Sequence, residues 1–524
     1  MSGPQRDMRR PTTGYDFSMS SSVSTVGVVS FEEARRIVEE HATRVRAGVA
    51  AGAVDCDVQA GGAQVSGIAA GEVEVVDLLA GRGRVLAETV FADRDFPPFA
   101  RATRDGYAVR AADVERVPAR LEVIGEIRAG ELGEGLAVGV GQAVLIMTGA
   151  PVPAGADAVA MVEYTREDAD GKGRDEADRK GEENPHSNVA EDAPLEWGTL
   201  GSDAPGRGAH NSFVEILHGV GSGENFVAQG AEARVGQALV EAGARLNHSV
   251  IAIAAAVGKG RVQVFRKPRV AVLSTGDEVV EIGVAPEPAQ IRNSNSYSLA
   301  AQIEEAGGEA VRLAISPDEP RRLRELMEEG FRCDLLLMTG GVSMGKYDLV
   351  EQVLGELGAE FYFTGARIQP GKPVVFGACV AGSSNSHPNA AKDAALGWGT
   401  RAGQGSARKR VSAPHYFFGL PGNPVSTMVT FRLFAEPMIA ALGGARPEPL
   451  VFFRARLKKE VRTKTGLTRF LPAIISGEFE DSEVELAAWQ GSGDIAALAR
   501  ANCYVVIPPD RERIAAGESV AVMK

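Results

Sequence analysis

The chain is poor in the residues that mark disulfide frameworks, membrane spans and nucleic-acid binding. Its four cysteines among 524 residues form no CxxC pair, which argues against a disulfide framework or a cysteine zinc site and favours a reducing cytoplasm. No run approaches the roughly 20 uninterrupted apolar residues that a membrane span needs. The 69 acidic residues outnumber the 56 basic ones, so no nucleic-acid partner is expected. Residues 1–29 lack an apolar run, so no secretory signal is expected.

What the chain does contain predicts several globular domains joined by flexible segments. Hydrophobic residues make up 44% of the 524 residues, enough for about three domains at roughly 150 residues each. We expect residues 1–29 to form a disordered tail. Residues 166–212 and 381–413 are rich in Gly, Ser and polar residues, and both are predicted to be flexible inserts, that is, solvated loops.

Hydrophobic periodicity predicts a multidomain α/β protein. Residues 30–266 form an N-terminal region, with a capping-box helix start at Ser30 and an inserted β subdomain at about 111–236. From 267 to 446, short buried runs such as RVAVL and DLLLM alternate with amphipathic stretches. This alternation indicates an α/β/α domain with a doubly wound, mostly parallel sheet. Residues 447–524 return to short strands and predict a small β domain.

The first loop with chemical potential, STGDE at 274–278, directly follows the RVAVL strand. Ligands of open α/β sheets bind beyond the carboxyl ends of the strands. Asp277 and Glu278 are therefore candidates to hold magnesium or to accept hydrogen bonds from a ligand. The structural alternative is a turn whose aspartate caps the next element.

The second loop, TGGVSMGKYD at 339–348, follows the DLLLM strand. Gly340 and Gly341 allow the backbone to approach an anion and direct N–H groups towards it, and Ser343 adds a hydroxyl. Asp348 stands at the start of the next helix, where a carboxylate would also serve as a cap.

A third loop, GLPGNPVS at 419–426, has the pattern of a helix start, which by itself predicts no ligand. Combined with the Gly-Gly loop, its amides could hold a second anionic group. Nearby, Arg367 and Lys372 place two cations before a strand, and cations beside glycine loops favour a phosphate-bearing ligand. Residue chemistry alone thus indicates a phosphorylated small molecule and a divalent cation.

These loops, in this order, resemble the molybdopterin molybdenumtransferase family, the bacterial MoeA proteins, which are similar to the catalytic domain of gephyrin. The resemblance runs from about residue 30 to the end, apart from the inserts. Six motifs in register carry it, namely DGYAV (105–109), MTGAPVP (147–153), STGDE (274–278), TGGVS (339–343), PGKP (370–373) and GLPGNPVS (419–426).

The resemblance implies an elongated subunit with an N-terminal helical region, a β subdomain, a molybdopterin-binding α/β/α domain and a C-terminal β-barrel-like domain. It implies a homodimer that inserts molybdenum from molybdate into adenylylated molybdopterin, uses Mg²⁺ and releases AMP. Transient contact with other cofactor-biosynthesis proteins is also expected, and a membrane partner is not.

Site residues carry over by position. Asp105 and Thr148 would line the cleft from the partner subunit, while Glu278, Asp318 and Asp348 would supply carboxylates. The resulting assignments are catalytic Asp105, Glu278 and Asp348; metal-binding Asp277 and Glu278; and substrate-binding Thr148, Gly340, Gly341, Ser343, Asp318, Arg367, Lys372, Pro421 and Pro424.

The chain departs from the family pattern at several basic positions. Gly365 and Gln369 stand where many relatives carry cations near the Pro-Gly-Lys-Pro step, and Arg367 is a candidate replacement. In the C-terminal domain, Leu467 and Pro472 stand where arginines are expected. These losses and the inserts motivate an alternative, a molybdopterin-binding carrier or scaffold without transferase activity. A third interpretation, a related α/β domain acting on another phosphorylated substrate, conflicts with the two motifs upstream.

Overall fold

The computed structural model of the protein describes residues 27–54, 72–168, 212–341, 349–380, 414–446 and 448–524. The chain divides into two compact units. The first unit comprises residues 1–88, 242–252 and 260–524, and the second comprises residues 89–241 and 253–259. Most of both predicted inserts, at 169–211 and 381–413, lies outside the described residues, as does 342–348.

The described residues form eight α-helices, and a π-helical segment joins the sixth to the seventh. The helices are α1 (Phe31–Val54), α2 (His248–Ala256), α3 (Ser294–Glu305), α4 (Pro320–Gly330), α5 (Leu349–Glu356), α6 (Pro424–Thr430), α7 (Glu436–Leu442) and α8 (Ile495–Arg500), with the π-helical segment at Phe431–Ala435. Short 3-10 turns occur at Ala111–Asp113, Val162–Tyr164 and Phe479–Asp481.

Thirteen of the strands in the described residues precede the α/β domain. They are β1 (Val28–Val29), β2 (Val73–Asp77), β3 (Val90–Phe91), β4 (Arg101–Ala102), β5 (Gly106–Val109), β6 (Ala119–Ile127), β7 (Gln142–Ile146), β8 (Ala158–Met161), β9 (Thr165–Asp168), β10 (Ser212–Ile216), β11 (Phe226–Val227), β12 (Ala238–Val240) and β13 (Arg261–Phe265).

The remaining strands of the described residues belong to the α/β domain and the C-terminal domain. They are β14 (Arg269–Ser274), β15 (Val279–Val280), β16 (Ile291–Arg292), β17 (Glu309–Arg312), β18 (Leu335–Thr339), β19 (Ala359–Phe363), β20 (Gly365–Ala366), β21 (Ile368–Gln369), β22 (Val375–Val380), β23 (Pro414–Leu420), β24 (Phe453–Leu457), β25 (Val461–Arg462), β26 (Thr468–Ser476), β27 (Glu483–Leu486), β28 (Cys503–Ile507), β29 (Arg513–Ile514) and β30 (Ser519–Met523).

The second unit is built on a six-stranded sheet in the order β8-β5-β7-β6-β10-β9. The segments that flank the first insert are strands rather than loops. They are β9 and β10, which pair antiparallel with Phe213 opposite Asp168. The insert predicted over 166–212 is therefore too long at both edges.

The central sheet of the first unit has the order β17-β14-β18-β23-β22-β19. Strands β17, β14, β18 and β23 are mutually parallel, β22 pairs antiparallel with β23, and β19 pairs antiparallel with β22, so the predicted mostly parallel sheet is confirmed. Both faces are covered: along β14, Val270 and Val272 pack into one hydrophobic cluster, and Ala271 and Leu273 into another. Strands buried on both faces explain the nearly unbroken apolar runs.

The C-terminal domain is a closed β-barrel. Strands β26, β27, β24, β30 and β28 follow one another, and β28 pairs back onto β26. The short strand β21 of the Pro-Gly-Lys-Pro step pairs parallel with β26, which places Gln369 opposite Arg469. This pairing joins the barrel to the α/β domain, and the expected barrel-like domain is confirmed.

The N-terminal segment corrects one expectation. Val28 and Val29 form β1, parallel to β20, with Val28 opposite Gly365. The predicted disordered tail to residue 29 is therefore wrong at these two residues. Helix α1 begins directly afterwards, and its start is capped as predicted, since the Glu33 N–H donates to the Ser30 hydroxyl at 3.1 Å.

One helical stretch of the described residues, Pro424–Leu442, is long and apolar enough to cross a membrane by length and composition alone. Of its most apolar window, 72% is buried inside the protein. Val425, Val429, Phe431 and Phe434 from this stretch belong to the larger hydrophobic cluster of the first unit. The apolar character of the stretch is accounted for by that packing.

An aromatic cluster beneath α1 contains a histidine that titrates outside its usual range. The His41 ring stacks on Tyr362, with centroids 4.0 Å apart, and its Nδ1 lies 3.1 Å from the Tyr416 hydroxyl. Burial, followed by the Arg44 charge, lowers the pKa of His41 to about 4, against a smaller opposing effect of Glu40. The neutral ring is thus the form that the folded protein favours.

This shift predicts a pH dependence of folding stability. Because the unfolded chain takes up a proton near pH 6.5 and the folded protein only near pH 4, stability is lost as the pH falls through this window. Between pH 7 and pH 5 the wild type should lose about 1 kcal/mol more than His41→Phe, allowing for partial solvent screening. Urea unfolding at both pH values measures this, and equal losses in the two proteins would contradict it.

Candidate active site

Three loops meet at the carboxyl edge of the central sheet, because the parallel strands β14, β18 and β23 are neighbours. The Thr275 N–H donates to the Thr339 carbonyl at 3.0 Å, which ties the first loop to the second. The Thr339 hydroxyl donates to the Pro421 carbonyl at 3.3 Å, which ties the second to the third. The sheet therefore brings together the first and third predicted loops and the described start of the second.

A side chain that sequence reasoning missed clamps this junction. The Asn295 amide Nδ2 donates to the Thr339 hydroxyl at 2.9 Å and to the Gly422 carbonyl at 2.7 Å. Asn293, the N-cap residue of α3, accepts from the Ser296 N–H at 3.2 Å and so fixes the helix start that carries Asn295. The only available signal was the Asn-Ser-Asn triplet ahead of an amphipathic stretch.

Glycine is required where the second loop begins. Gly340 and Gly341 have φ angles of 92° and 64°, in the left-handed region that favours glycine. A Cβ on Gly340 would lie 2.6 Å from the Thr275 carbonyl oxygen, and one on Gly341 would lie 2.9 Å from the Thr275 hydroxyl. The Gly-Gly pair therefore packs directly against Thr275 of the first loop, a contact that was not predicted, and the predicted approach to an anion stays a prediction.

These loops surround a cavity of about 350 Å³, which we call the strand-end cleft. Its volume is in the range of small-molecule sites. It is lined by Ser274, Thr275, Glu278, Val279, Ile291, Arg292, Asn293, Ser294, Asn295, Thr339, Gly340, Gly341, Pro373, Pro421, Gly422, Asn423 and Pro424.

Two buried polar atoms at this cleft have no hydrogen-bond partner among the described residues. They are the Thr275 hydroxyl and the Asn295 amide oxygen. Thr275 is only 4% exposed. A buried polar group without a partner is costly, so the cleft offers hydrogen-bonding capacity that a polar ligand would satisfy.

Carboxylates border the cleft at the first loop. Glu278 is among its lining residues, and Asp277 lies next to Asp318, whose N–H donates to Asp277 Oδ1 at 3.1 Å. Burial, and then the charges of Asp277 and Glu278, raise the pKa of Asp318. Asp277 thus holds the loop ahead of α4, and the charges of Asp277 and Glu278 act on Asp318. The described residues contain no group of three or more acidic, His or Cys side chains arranged to hold a metal ion.

A second, larger cavity of about 670 Å³, which we call the basic cavity, lies between the α/β domain and the barrel. It shares Pro373, Pro421 and Asn423 with the strand-end cleft. It is lined by Ile368, Gln369, Pro370, Gly371, Lys372, Pro373, Pro421, Asn423, Ser426, Lys464, Thr465, Leu467, Arg469, Trp489, Gly491 and Ser492.

The predicted site residues thus fall into distinct groups. Glu278, Gly340, Gly341, Pro421 and Pro424 meet in the strand-end cleft. Lys372 lines the basic cavity, while Arg367 is exposed and lines neither cavity. Ser343 and Asp348 lie outside the described residues.

The third loop starts helix α6 as its pattern predicted, but the helix start is held by a contact other than the expected Asn423 cap. Pro424 is the first helical residue, and the Asn423 side chain makes no capping bond. The Thr427 hydroxyl instead donates to the Pro421 carbonyl at 2.5 Å and to the Asn423 carbonyl at 3.0 Å. The Asn423 side chain is thereby left to line the cavities.

Asp105 and Thr148 lie together in the second unit. The Thr148 N–H and hydroxyl donate to Asp105 Oδ1 at 2.6 and 2.8 Å. These two bonds, the backbone one first, lower the pKa of Asp105. The pair predicted from separate motifs is therefore one hydrogen-bonded group with an ionised carboxylate.

The glycine packing makes a prediction about stability. Gly340→Ala should lower the free energy of unfolding by about 2–4 kcal/mol, because it combines an unfavourable φ with a backbone clash. Gly83→Ala is the matched control: Gly83 has a φ of 77° but nothing within 4 Å of where a Cβ would lie, so about 1 kcal/mol should be lost. Urea unfolding measures both, and equal losses would show that the Thr275 contact is unimportant.

Comparison with known proteins agrees with this geometry. Three family models match successive parts of the chain: the MoeA N-terminal region (domain I and II) over residues 29–258, a probable molybdopterin binding domain over 271–441, and the MoeA C-terminal region (domain IV) over 454–524. A molybdopterin molybdenumtransferase of a Nostoc species is 31% identical over 462 residues, covering 86% of this chain and 89% of the relative.

Other relatives match over a similar extent. A molybdopterin molybdenumtransferase of Bacillus subtilis is 30% identical, covering 86% of this chain and 90% of the relative. The crystal structure of a molybdopterin biosynthesis MoeA protein from Pyrococcus horikoshii is 29% identical, covers 95% of this chain and 98% of its own, and superposes with a TM-score of 0.55. With matches of this extent, the chain belongs to the molybdopterin molybdenumtransferase family, transferases of molybdenum cofactor biosynthesis.

Proposed function

We propose that the protein inserts molybdate into adenylylated molybdopterin with release of AMP, in a magnesium-dependent reaction. The observation that carries this proposal is the junction of two cavities of different character. The strand-end cleft offers glycine loops, unpartnered polar atoms and a bordering carboxylate, and the basic cavity beside it shares three wall residues with it. A phosphorylated pterin and an oxyanion can therefore occupy adjoining spaces.

The strand-end cleft suits the pterin substrate. The Asn295 amide oxygen is an acceptor, and the Thr275 hydroxyl both donates and accepts, which matches the amino and carbonyl edges of a pterin. The backbone around Gly340 and Gly341 suits a phosphate, since left-handed glycine turns direct successive N–H groups into a concave anion site. Pro421 and Pro424 give that end of the cleft a rigid wall.

The carboxylates fit a magnesium ion of the kind that phosphate substrates bring with them. Glu278, Asp277 and Asp318 offer hard oxygen ligands, and the repulsion that raises the pKa of Asp318 would be relieved by a cation. Magnesium is usually held by one or two carboxylates plus substrate phosphates and water, so a complete cage of protein ligands is not required. When bound, the ion would neutralise charge on the phosphate that is cleaved.

The basic cavity suits the oxyanion. Its lining residues include Lys372, Lys464 and Arg469 and no carboxylate. We propose that molybdate is held here and reaches the pterin at the shared wall of Pro373, Pro421 and Asn423. Ser343 and Asp348 retain their predicted roles as a substrate hydroxyl and a catalytic carboxylate of the second loop.

We further propose a homodimer in which Asp105 and Thr148 complete the site of the partner subunit. An ionised Asp105, fixed by Thr148 at 2.6 and 2.8 Å, is a rigid acceptor for a hydroxyl or amine of the substrate. The exposed position of both residues in the second unit leaves them accessible to such a ligand.

The proposal predicts turnover that depends on Glu278. Purified protein given adenylylated molybdopterin, Mg²⁺ and molybdate should form active cofactor and AMP, and Glu278→Gln should reduce the rate by about tenfold or more. Glu281→Gln is the matched control, because Glu281 is exposed and lines neither cavity. AMP is measured by chromatography. Tight pterin binding without AMP release by the wild type would refute the transferase and identify a carrier.

The metal proposal predicts a thermal shift. Mg²⁺ should raise the melting temperature of the wild type, because it relieves repulsion among Asp277, Glu278 and Asp318. Asp318→Asn removes one of these charges, so it should melt slightly higher without Mg²⁺ and respond less to its addition. The melting temperatures of both proteins are measured in calcium-free buffer with and without MgCl₂. An unchanged response in Asp318→Asn would exclude this carboxylate from the metal site.

A further inference from the structure

Arg469 is a buried charge without a counter-charge. It is 6% exposed, and none of the described carboxylates forms an ion pair with it. Its Nε donates to the Gln369 amide oxygen at 2.9 Å, and its Nη1 donates to the Leu467 carbonyl at 3.1 Å. Burying an unpaired guanidinium is unfavourable, so a site that does so is suited to an anion that supplies the missing charge.

The surroundings of Arg469 add to the same charge. Lys372 and Lys464 line the same cavity, and neither forms an ion pair with a described residue. Three cations without a carboxylate are unusual in a chain whose net charge is −13. Cavity walls of low dielectric concentrate such a field, which favours a small multiply charged anion.

Strand pairing explains why the cation stands at 469. Gln369 on β21 lies directly opposite Arg469 on β26 in a parallel pair. Side chains of paired residues project from the same face, so a cation on either strand would reach the same cavity. Gln369 directly precedes the Pro-Gly-Lys-Pro step, where many relatives carry a cation, and its amide oxygen accepts a hydrogen bond from the guanidinium on the paired strand.

We propose that Arg469 determines oxyanion affinity in this protein. Its guanidinium, on barrel strand β26, replaces the cation that many relatives carry at position 369, and Gln369 is its positioning residue. The inference rests on the proposed function and names the residue that serves its oxyanion site. The planar guanidinium has two donors engaged by Gln369 and Leu467, and its remaining N–H groups are available for a tetrahedral oxyanion.

Equilibrium dialysis of the full chain with molybdate, and separately with tungstate, sulfate and phosphate, measures the binding. Arg469→Gln should weaken molybdate binding by about 10- to 100-fold, the loss of a charge-assisted contact. Arg454→Gln is the matched control, since Arg454 is an exposed barrel arginine outside the basic cavity. Arg469→Lys keeps the charge and should lose less than Arg469→Gln. Unchanged molybdate affinity in folded Arg469→Gln would overturn the inference.

A double variant that exchanges residues 369 and 469 tests whether the cavity needs a cation at position 469 or only a cation on either strand. Gln369→Arg with Arg469→Gln has the composition and net charge of the wild type, with the cation moved to the opposite strand. It should recover most of the affinity lost in Arg469→Gln, and failure to recover any, with a wild-type melting temperature, would overturn the strand-exchange argument. If the wild type binds molybdate through Arg469 but releases no AMP, the transferase proposal fails while this inference stands.

Discussion

The site depends on one constraint: neighbouring parallel strands end at the same level of a sheet. The β14–β18 ladder continues one hydrogen bond beyond the strands, from the Thr275 N–H to the Thr339 carbonyl, and the Thr339 hydroxyl extends the connection to Pro421. Each loop must then turn away within a residue or two. Only glycine at Gly340 permits that turn without a clash against the Thr275 carbonyl, 2.6 Å from a Cβ. The glycine backbone that we propose as an anion site is thus a consequence of closing the sheet edge.

Charge is divided between the two cavities by an uncharged wall. The strand-end cleft is lined by one carboxylate, Glu278, and the basic cavity by three cations. Pro373, Pro421 and Asn423 lie between them, and two of these are rigid prolines. The separation keeps one space suited to a cation with its phosphate and the other to an oxyanion.

The sequence predicted the features that local patterns encode. Buried runs such as DLLLM at 334–338 predicted parallel strands, and the GLPGNPVS pattern predicted the helix that starts at Pro424. Local patterns could not reveal Asn295, because its partners Thr339 and Gly422 are 44 and 127 residues away. The strand at Val28 and Val29 was missed for a similar reason: two residues have no readable period, and their partner strand begins at Gly365.

The Gln369–Arg469 contact has a wider consequence for comparing sequences by motif. Compared one motif at a time, Gln369 is a lost cation, and Arg469 is an arginine two residues after Leu467, where the family pattern has its arginine. The parallel register puts them opposite each other, 100 residues apart, so the two departures are one exchange across a strand pair. An anion responds to the field inside its cavity, not to the strand from which a cation extends. All cations that line this cavity, including Lys372 and Lys464, should therefore be counted together. A missing arginine in one motif does not by itself indicate a lower affinity for the oxyanion.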